Sequence, residues 1–439
     1  MTRLSISLLA LVAAASVAAA PATSHADDTA TLHVATNGSD ANPGTADAPL
    51  ATISRAASLV KPGTTVLIHT GNYHGQVKLG ISGTPTARIT YKAAGDGPVT
   101  VNSTQAPANC NSSQPASQRT FMIGGDYITI DGLNINNGIT MAGPRQNSAY
   151  VWHANLVKQR NWEPRRAIAG RGSNDPALSR AKLINDLRAV TGDPKIDPVQ
   201  GVQISNNTMT TRGIQGFLAQ YGLIQGNTIR DIECGVGPAI WMMTFSDGNN
   251  IRNNDISGVE TSGHSHYMQE GIRLGTASNY NLIQANNVHD LGEGDSRAIT
   301  TDVDSSFNRI LNNTASNVAT GFSEQMSGWG NIWRLNYAAN YRQFAFMIRL
   351  MDAKYPTPEW SSASRGGTWA CNVAGPPSTS GGKSLGIGGI AHGAFSRNYF
   401  PTVYLAPTVR SYWAAEGNTW NWSSTPPEKV TSTDGACTR

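Results

Sequence analysis

One short pattern governs the second half of the chain: an aliphatic or aromatic residue, two further residues, then Asn. It stands at Ile204-Ser-Asn-Asn207, Ile224-Gln-Gly-Asn227, Ile251-Arg-Asn-Asn254 and Ile283-Gln-Ala-Asn286, then at Ile310-Leu-Asn-Asn313 and Trp333-Arg-Leu-Asn336. Looser copies end at Asn398 and Asn418. The first six asparagines are 20, 27, 32, 27 and 23 residues apart. A repeat of this length, carried by short strands without helical periodicity, marks a stacked solenoid. One layer is too thin to bury its own apolar face, so the layers must stack and bury it together. An Asn at each corner can adopt the left-handed conformation and bond to the Asn or backbone of the next layer. A β-sandwich would show turn signals every ~8–12 residues and no fixed Asn column. A propeller would need blades of ~40–50 residues. The pattern predicts an all-β parallel solenoid.

Composition agrees. Only 14% of the 439 residues are charged, and Gly reaches 45. That charge is too sparse for a disordered or coiled-coil chain, for which a larger charged fraction is the rule. Past the N-terminus no apolar run is long enough to span a membrane. Residues 1–26 read as a secretory leader: Arg3, an apolar run from Leu4 to Ala20, and Ser24-His25-Ala26 before Asp27. Export would place Cys110, Cys234, Cys371 and Cys437 in an oxidising compartment. Their spacing leaves every pairing open and contains no CxxC zinc signature.

The first mature segment carries an ordered set of motifs. It runs Leu32 to Asp40, Asn42-Pro-Gly-Thr45, Pro49-Leu-Ala-Thr-Ile53, Ala56 to Val60, Lys61-Pro-Gly63, Val66 to Tyr73 and Arg88-Ile-Thr-Tyr-Lys92. This resembles the N-terminal cap and first coil of secreted right-handed parallel β-helix proteins of the pectate-lyase superfamily, above all the family-9-type polysaccharide lyases. The resemblance implies a right-handed parallel β-helix in one domain over residues 27–439, with Ser54–Val60 as a capping helix over its open end. An uncovered end would expose a row of unpaired backbone groups. It also implies carbohydrate chemistry, often calcium held by clustered Asp with Lys or Arg as the base. This chain departs from that pattern. It has no dense Asp cluster of the family-9 type, and Gly263-His-Ser265 and Ile272-Arg-Leu274 only faintly echo the polygalacturonase motifs.

Lining up the second strand of each coil gives equivalent pairs at Gly213-Ile214, Ala239-Ile240, Gly271-Ile272, Ala298-Ile299 and Gly321-Phe322. Side chains alternate along a strand. With the large residue inside, the outward column after it reads Gln215, Trp241, Arg273, Thr300, Ser323. The column before it is small, as if shaped to receive an extended chain. One step beyond lie Phe217, Met243, Gly275, Asp302 and Gln325. Trp stacks on sugar rings and Arg pairs with carboxylates. Arg273 therefore heads the expected catalytic set, facing outward with no acid at its own level, together with His264, His266, Glu270, Arg297 and Asp302. Trp241, Gln215, Thr300, Gln325, Arg165 and Arg166 are expected to bind substrate. Glu293, Asp295 and Asp304 are expected to hold a calcium ion, oxygen clusters favouring calcium over zinc.

Residues 141–200 interrupt the ladder. Asp175-Pro176 starts a helix with an apolar stripe of Leu183, Leu187 and Val190, ended by Gly192 and Pro194. This insertion holds ten Lys/Arg against five acids, so the net +4 of the whole chain sits on one cationic arm and the coil itself is slightly acidic. Such an arm packs on the flank or attracts a polyanion. Nucleic acid suits the charge, but no nucleic-acid module accompanies it. Residues 350–439 read as irregular coils and a cap carrying Trp413, Trp420 and Trp422. The expectation is a secreted enzyme that cleaves an acidic, uronate-containing polysaccharide by β-elimination. A glycoside hydrolase and a non-catalytic carbohydrate-binding solenoid are the alternatives. The oligomeric state is left open.

Overall fold

The computed structural model describes residues 30–103, 119–159, 176–232, 237–259, 269–325, 328–349, 366–388 and 394–405. The leader, Arg165, Arg166, His264, His266, Trp413, Trp420, Trp422 and three of the four cysteines lie outside them. Cys371 lies within them and is not a free thiol. Among the described residues no helix is long and apolar enough to cross a membrane.

The chain winds into a right-handed parallel β-helix. One wall is a 12-stranded parallel sheet from Thr31–Val34 to Ala394–Ser396. The other two walls form a 19-stranded sheet that folds at a corner. Its two branches fuse where single long strands, Thr314–Gln325 and Tyr337–Arg349, turn the corner without a break. Every registered pair is parallel and advances one coil, so like stacks on like. Ile204 sits on Ile224, then Ile251, Ile283, Ile310, Trp333, Trp369 and Phe395. Trp333 and Trp369 stack with centroids 4.7 Å apart and planes 3° from parallel. One continuous core runs from Val34 to Phe400.

The Asn column is present and buried. In each rung the amide oxygen accepts from the backbone N–H and Nδ2 of the Asn one coil earlier, through Asn207, Asn227, Asn254, Asn286, Asn313, Asn336, Asn372 and Asn398. Two corrections follow. The left-handed residue is the one before the rung, as at Asn206 (φ 57), Asn253 (φ 53), Ala285 (φ 54) and Asn312 (φ 55), and not the rung itself. The turn is made there, which frees the rung's amide to point along the stack. Asn372 also belongs between Asn336 and Asn398, after the longest gap in the column, 36 residues.

A second column, Asn249, Asn281, Asn308 and Asn331, runs inside the next corner with the same bonding. It ends on an acid. The following rung position is Gly367, and Asn331 Nδ2 donates instead to Glu324 Oε1 at 3.0 Å, while Trp333 Nε1 donates to Oε2 at 3.1 Å. Burial pushes the Glu324 carboxyl up to about 7, against the pull of those two hydrogen bonds.

Helix α1 (Ile53–Ala57) caps the solenoid as expected, but it starts one residue earlier and ends sooner than Ser54–Val60. Thr52 Oγ1 accepts from Arg55 N at 3.0 Å, and Ser58 Oγ donates to the Arg55 carbonyl at 2.7 Å, which satisfies the last turn locally and stops the helix. The insertion contributes α2 (Gln146–Lys158) and α3 (Pro176–Thr191). The sequence pattern located α3 but not α2. Leu183 and Leu187 are buried, whereas Val190 is exposed because it lies past the contact face. Both helices pack on a column of turn residues, Leu218, Phe245 and Ala277, at the ends of the strip's strands, and residues 160–175 of the insertion lie outside the described ones.

Candidate functional site

The strip is built by register. Ile214, Ile240, Ile272, Ile299, Phe322 and Phe346 stack inward, and Gln215, Trp241, Arg273, Thr300, Ser323 and Met347 stack as the neighbouring outward column. The small column before it has a different cause from the one expected. A Cβ on Gly213 would lie 1.8 Å from the Ala239 carbonyl oxygen, and one on Gly321 would lie 2.5 Å from that of Ala345. These positions are small because the next coil's backbone occupies the space, not because a ligand does.

Arg273 is the main correction. Reading its level alone left it without an acid, yet it is 8% exposed and lies between two carboxylates. Nη1 donates to Glu270 Oε1 and Oε2 at 2.9 and 2.7 Å, and Nη2 donates to Asp302. Glu270 is the first residue of its strand, registered against Arg297. Arg297 Nη1 donates to Glu270 Oε1 at 3.2 Å, and Nη2 donates to Asp295. The Gln325 amide oxygen faces Arg297, 3.2 Å from both Nη1 and Nε. The result is an alternating chain, Asp302–Arg273–Glu270–Arg297–Asp295, across two coils. Gly275, buried beside it, lets Trp241 and Arg273 close over its backbone. A Cβ there would stand 3.6 Å from Trp241 Nε1 and 3.8 Å from Arg273 Nε.

Electrostatics divide the members. Burial pushes the Glu270 carboxyl up, but Arg273 and Arg297 outweigh it and hold it below its ordinary value. For Asp302 burial wins: Arg273 pulls down, the Glu270 charge adds to the rise, and the carboxyl ends above its ordinary value. Burial opposes the Arg273 charge, yet its two acids hold the proton more firmly than usual. With every member ionised the chain carries one excess negative charge, and Asp302 is where burial favours a proton. Two carboxyl groups pushed apart in this way can divide the roles of acid and charge stabiliser.

Access also differs. Glu270 is fully buried, the Asp302 and Arg273 side chains show 4% and 10% of their surface, and Asp295 shows 36%. Thr300 and Gln325 lie on the same outward side but are buried, while Gln215 and Trp241 are half-buried. Trp241 Nε1 is buried without a hydrogen-bond acceptor. Of the residues expected to hold calcium, Asp295 is on Arg297, Asp304 is buried with Oδ2 2.8 Å from Nε2 of His153 on α2, and Glu293 is exposed. Among the described residues no three His, Cys, Asp or Glu side chains converge to hold a metal. Sequence reasoning missed His153, for which no local signal exists, and Glu324, whose signal is an acid at an inward position.

Coil, cap and outward strip define a right-handed parallel β-helix. Over residues 32–172 the chain matches the family model described as Pel9A-like, right handed beta helix region. The match ends before Glu270, so the ion chain lies beyond it. An uncharacterized protein of Bacillus subtilis (strain 168), YwoF, is 41% identical over 61 residues, 14% of this chain and 13% of that protein. Similar solved structures include XylC with xylose (TM-score 0.48, 14% identity, 78% of this chain and 75% of that one) and the pectate lyase Pel9A (0.47, 14%, 81% and 78%). A lacto-N-biosidase from Eubacterium ramulus follows (0.46, 13%, 87% and 66%).

Proposed function

We propose that this protein is a secreted carbohydrate-active enzyme that cleaves a glycosidic bond laid across the strip at Trp241. Asp302 is the proton donor and Asp295 the partly exposed carboxylate that acts on water or on the sugar. The observation that carries the reading is the ion chain with its one protonatable end beside an outward Trp. Glycoside hydrolysis asks for two carboxyl groups at the bond, one as acid and one as base or nucleophile, and Trp241 supplies a face for the ring. Glu270 touches no substrate in this scheme; it positions Arg273 and Arg297.

β-Elimination on a uronate, the reading favoured by resemblance, needs a cation free to neutralise the sugar carboxylate. Arg273 is shared between two acids and Arg297 between two, so hydrolysis stands first. The leader-like N-terminus supports export. The test incubates the full chain with neutral and uronate polysaccharides, with and without calcium, reading reducing ends and the absorbance of a new double bond. Reducing ends without unsaturation, abolished in Asp302→Asn, support the proposal. Unsaturated product supports elimination instead. Binding with no turnover, unchanged in Asp302→Asn, would leave a carbohydrate-binding solenoid.

A further inference from the structure

A second titratable cluster lies away from the strip, on the first coils of the 12-stranded wall. His33 is on the first strand, Thr31–Val34, and His69 directly follows the second, Thr65–Ile68. Their rings meet nitrogen to nitrogen, His33 Nδ1 to His69 Nε2 at 2.9 Å, with planes within 22° of each other. The far nitrogen of His69, Nδ1, is 2.7 Å from Asp96 Oδ2, and the other Asp96 oxygen accepts from Thr70 N at 3.0 Å. All three are open to solvent, the His69 and Asp96 side chains being 32% and 44% exposed.

The carboxylate decides the tautomer. A carboxylate accepts only, so Asp96 Oδ2 at 2.7 Å from Nδ1 places the His69 proton there. Nε2 of His69 is therefore the lone-pair nitrogen, directed at Nδ1 of His33. Two imidazole nitrogens 2.9 Å apart have the separation of neighbouring ligands on an ion with bonds of about 2.0–2.1 Å, the usual length to His. A carboxylate on the second nitrogen of a ligating His is the usual outer partner that holds the ring and raises its basicity.

We propose that His33 Nδ1 and His69 Nε2 bind a borderline divalent transition-metal ion, Cu(II), Ni(II) or Zn(II), with Asp96 as the outer-shell carboxylate. His33 passes its proton from Nδ1 to Nε2 through solvent, the rings pivot to aim both lone pairs at the ion, and water fills the remaining positions. Imidazole suits these ions, and Cu(II) binds most tightly of the three. With two protein ligands the site is open and rests on neither catalysis nor the strip.

The test is calorimetric titration of the full chain with Cu(II), Ni(II) and Zn(II) at neutral pH, with electron paramagnetic resonance of the Cu(II) form. One equivalent should bind through nitrogen, in the order Cu(II) above Ni(II) and Zn(II), and weaken on acidification because the ligands must be neutral. His33→Ala and His69→Ala should each abolish it. Asp96→Asn, which leaves both ligands in place, should weaken it ~10–100-fold. Circular dichroism of each variant shows whether the cap still folds; if His69→Ala does not, His33→Gln on the outward side serves in its place. Undiminished nitrogen-bound Cu(II) in the folded His33→Ala or His33→Gln protein overturns the proposal, as does no binding by the wild-type chain.

Discussion

Asn286 and Asn287 are neighbours, and the solenoid predicts opposite consequences for removing them. Asn286 is a rung. Its oxygen accepts from the Asn254 N–H at 3.0 Å and from Asn254 Nδ2 at 2.9 Å, while its Nδ2 donates to the Ile251 carbonyl at 2.9 Å and to Asn313 Oδ1 at 3.0 Å. In Asn286→Ala two of these losses are softened. Asn254 Nδ2 keeps the Ile224 carbonyl, and Asn313 Oδ1 keeps the Asn286 backbone N–H. The Asn254 N–H and the Ile251 carbonyl lose a partner in a site water does not reach, at about 1–3 kcal/mol each. With the small cavity added, the loss should come to about 3–5 kcal/mol. Asn287 is exposed and makes one side-chain bond, to Asp255 Oδ1 at 2.8 Å, which water replaces. Asn287→Ala should stay within about 0.5 kcal/mol of wild type.

Urea unfolding of the three proteins, followed by tryptophan fluorescence and far-UV circular dichroism, reads both effects. The Asn286→Ala midpoint should fall, and the Asn287→Ala midpoint should not. A repeat stack is held by nearest-neighbour terms, so a broken rung can also split the transition. Noncoincident probes or a smaller m-value would show that. Equal losses for the two variants, or an Asn286→Ala loss below about 1 kcal/mol, would refute the claim that the column is a structural spine.

Three further outcomes follow from the same geometry. Glu324 takes up its proton near pH 7 in the folded chain and in the ordinary carboxylate range when unfolded. Its contribution is therefore fully present in acid and is lost as pH rises toward about 7, by roughly 3 kcal/mol, and Glu324→Gln should flatten that part of the stability–pH curve. Arg273→Ala should cost about 3–5 kcal/mol by leaving Asp302 buried without its cation and Glu270 with Arg297 alone, with a smaller deficit in acid, where the stranded carboxyls are protonated; thermal scans across pH check it. Gly213→Ala meets the Ala239 carbonyl and should lose roughly 3 kcal/mol or more, whereas Gly124→Ala, with open space around its Cβ position, should be neutral in the same urea assay.

The spine was legible because both of its signals are local: spacing within the turn and recurrence along the chain. The second Asn column was equally legible, two residues before each Ile or Trp of the first, at 249, 281, 308 and 331. The surroundings of Arg273 were not, and the reason is geometric. In a regular strand Glu270 and Arg273 face opposite sides, yet in the fold Arg273 Nη1 reaches both Glu270 oxygens although the register, Glu270–Arg297 and Ile272–Ile299, stays constant. Glu270 is the first residue of its strand, where alternation no longer dictates the direction of the side chain. Asp302 is two residues past Thr300, the register partner of Arg273, and diagonal neighbours are within reach of long side chains. Looking only straight across the ladder missed it. His153 on Asp304 joins positions 151 apart and depends on how the insertion docks, which no periodicity encodes.

Burial alone raises the proton affinity of both Asp302 and Glu324, so a perturbed carboxyl does not by itself mark the reactive face. Direction separates them. Glu324 shares its column with Leu274, Thr301 and Ile348, all buried, and its two oxygens end an Asn column inside the coil. It accepts from the Asn331 and Trp333 side chains, to which Gly367 offers no side-chain acceptor. Asp302 is on the other side of the wall, bonded to an outward Arg beside a half-exposed Trp. The outward carboxyl should govern turnover and the inward one stability. Turnover lost in a folded Glu324→Gln protein, and kept in Asp302→Asn, would place the reactive face elsewhere on the solenoid.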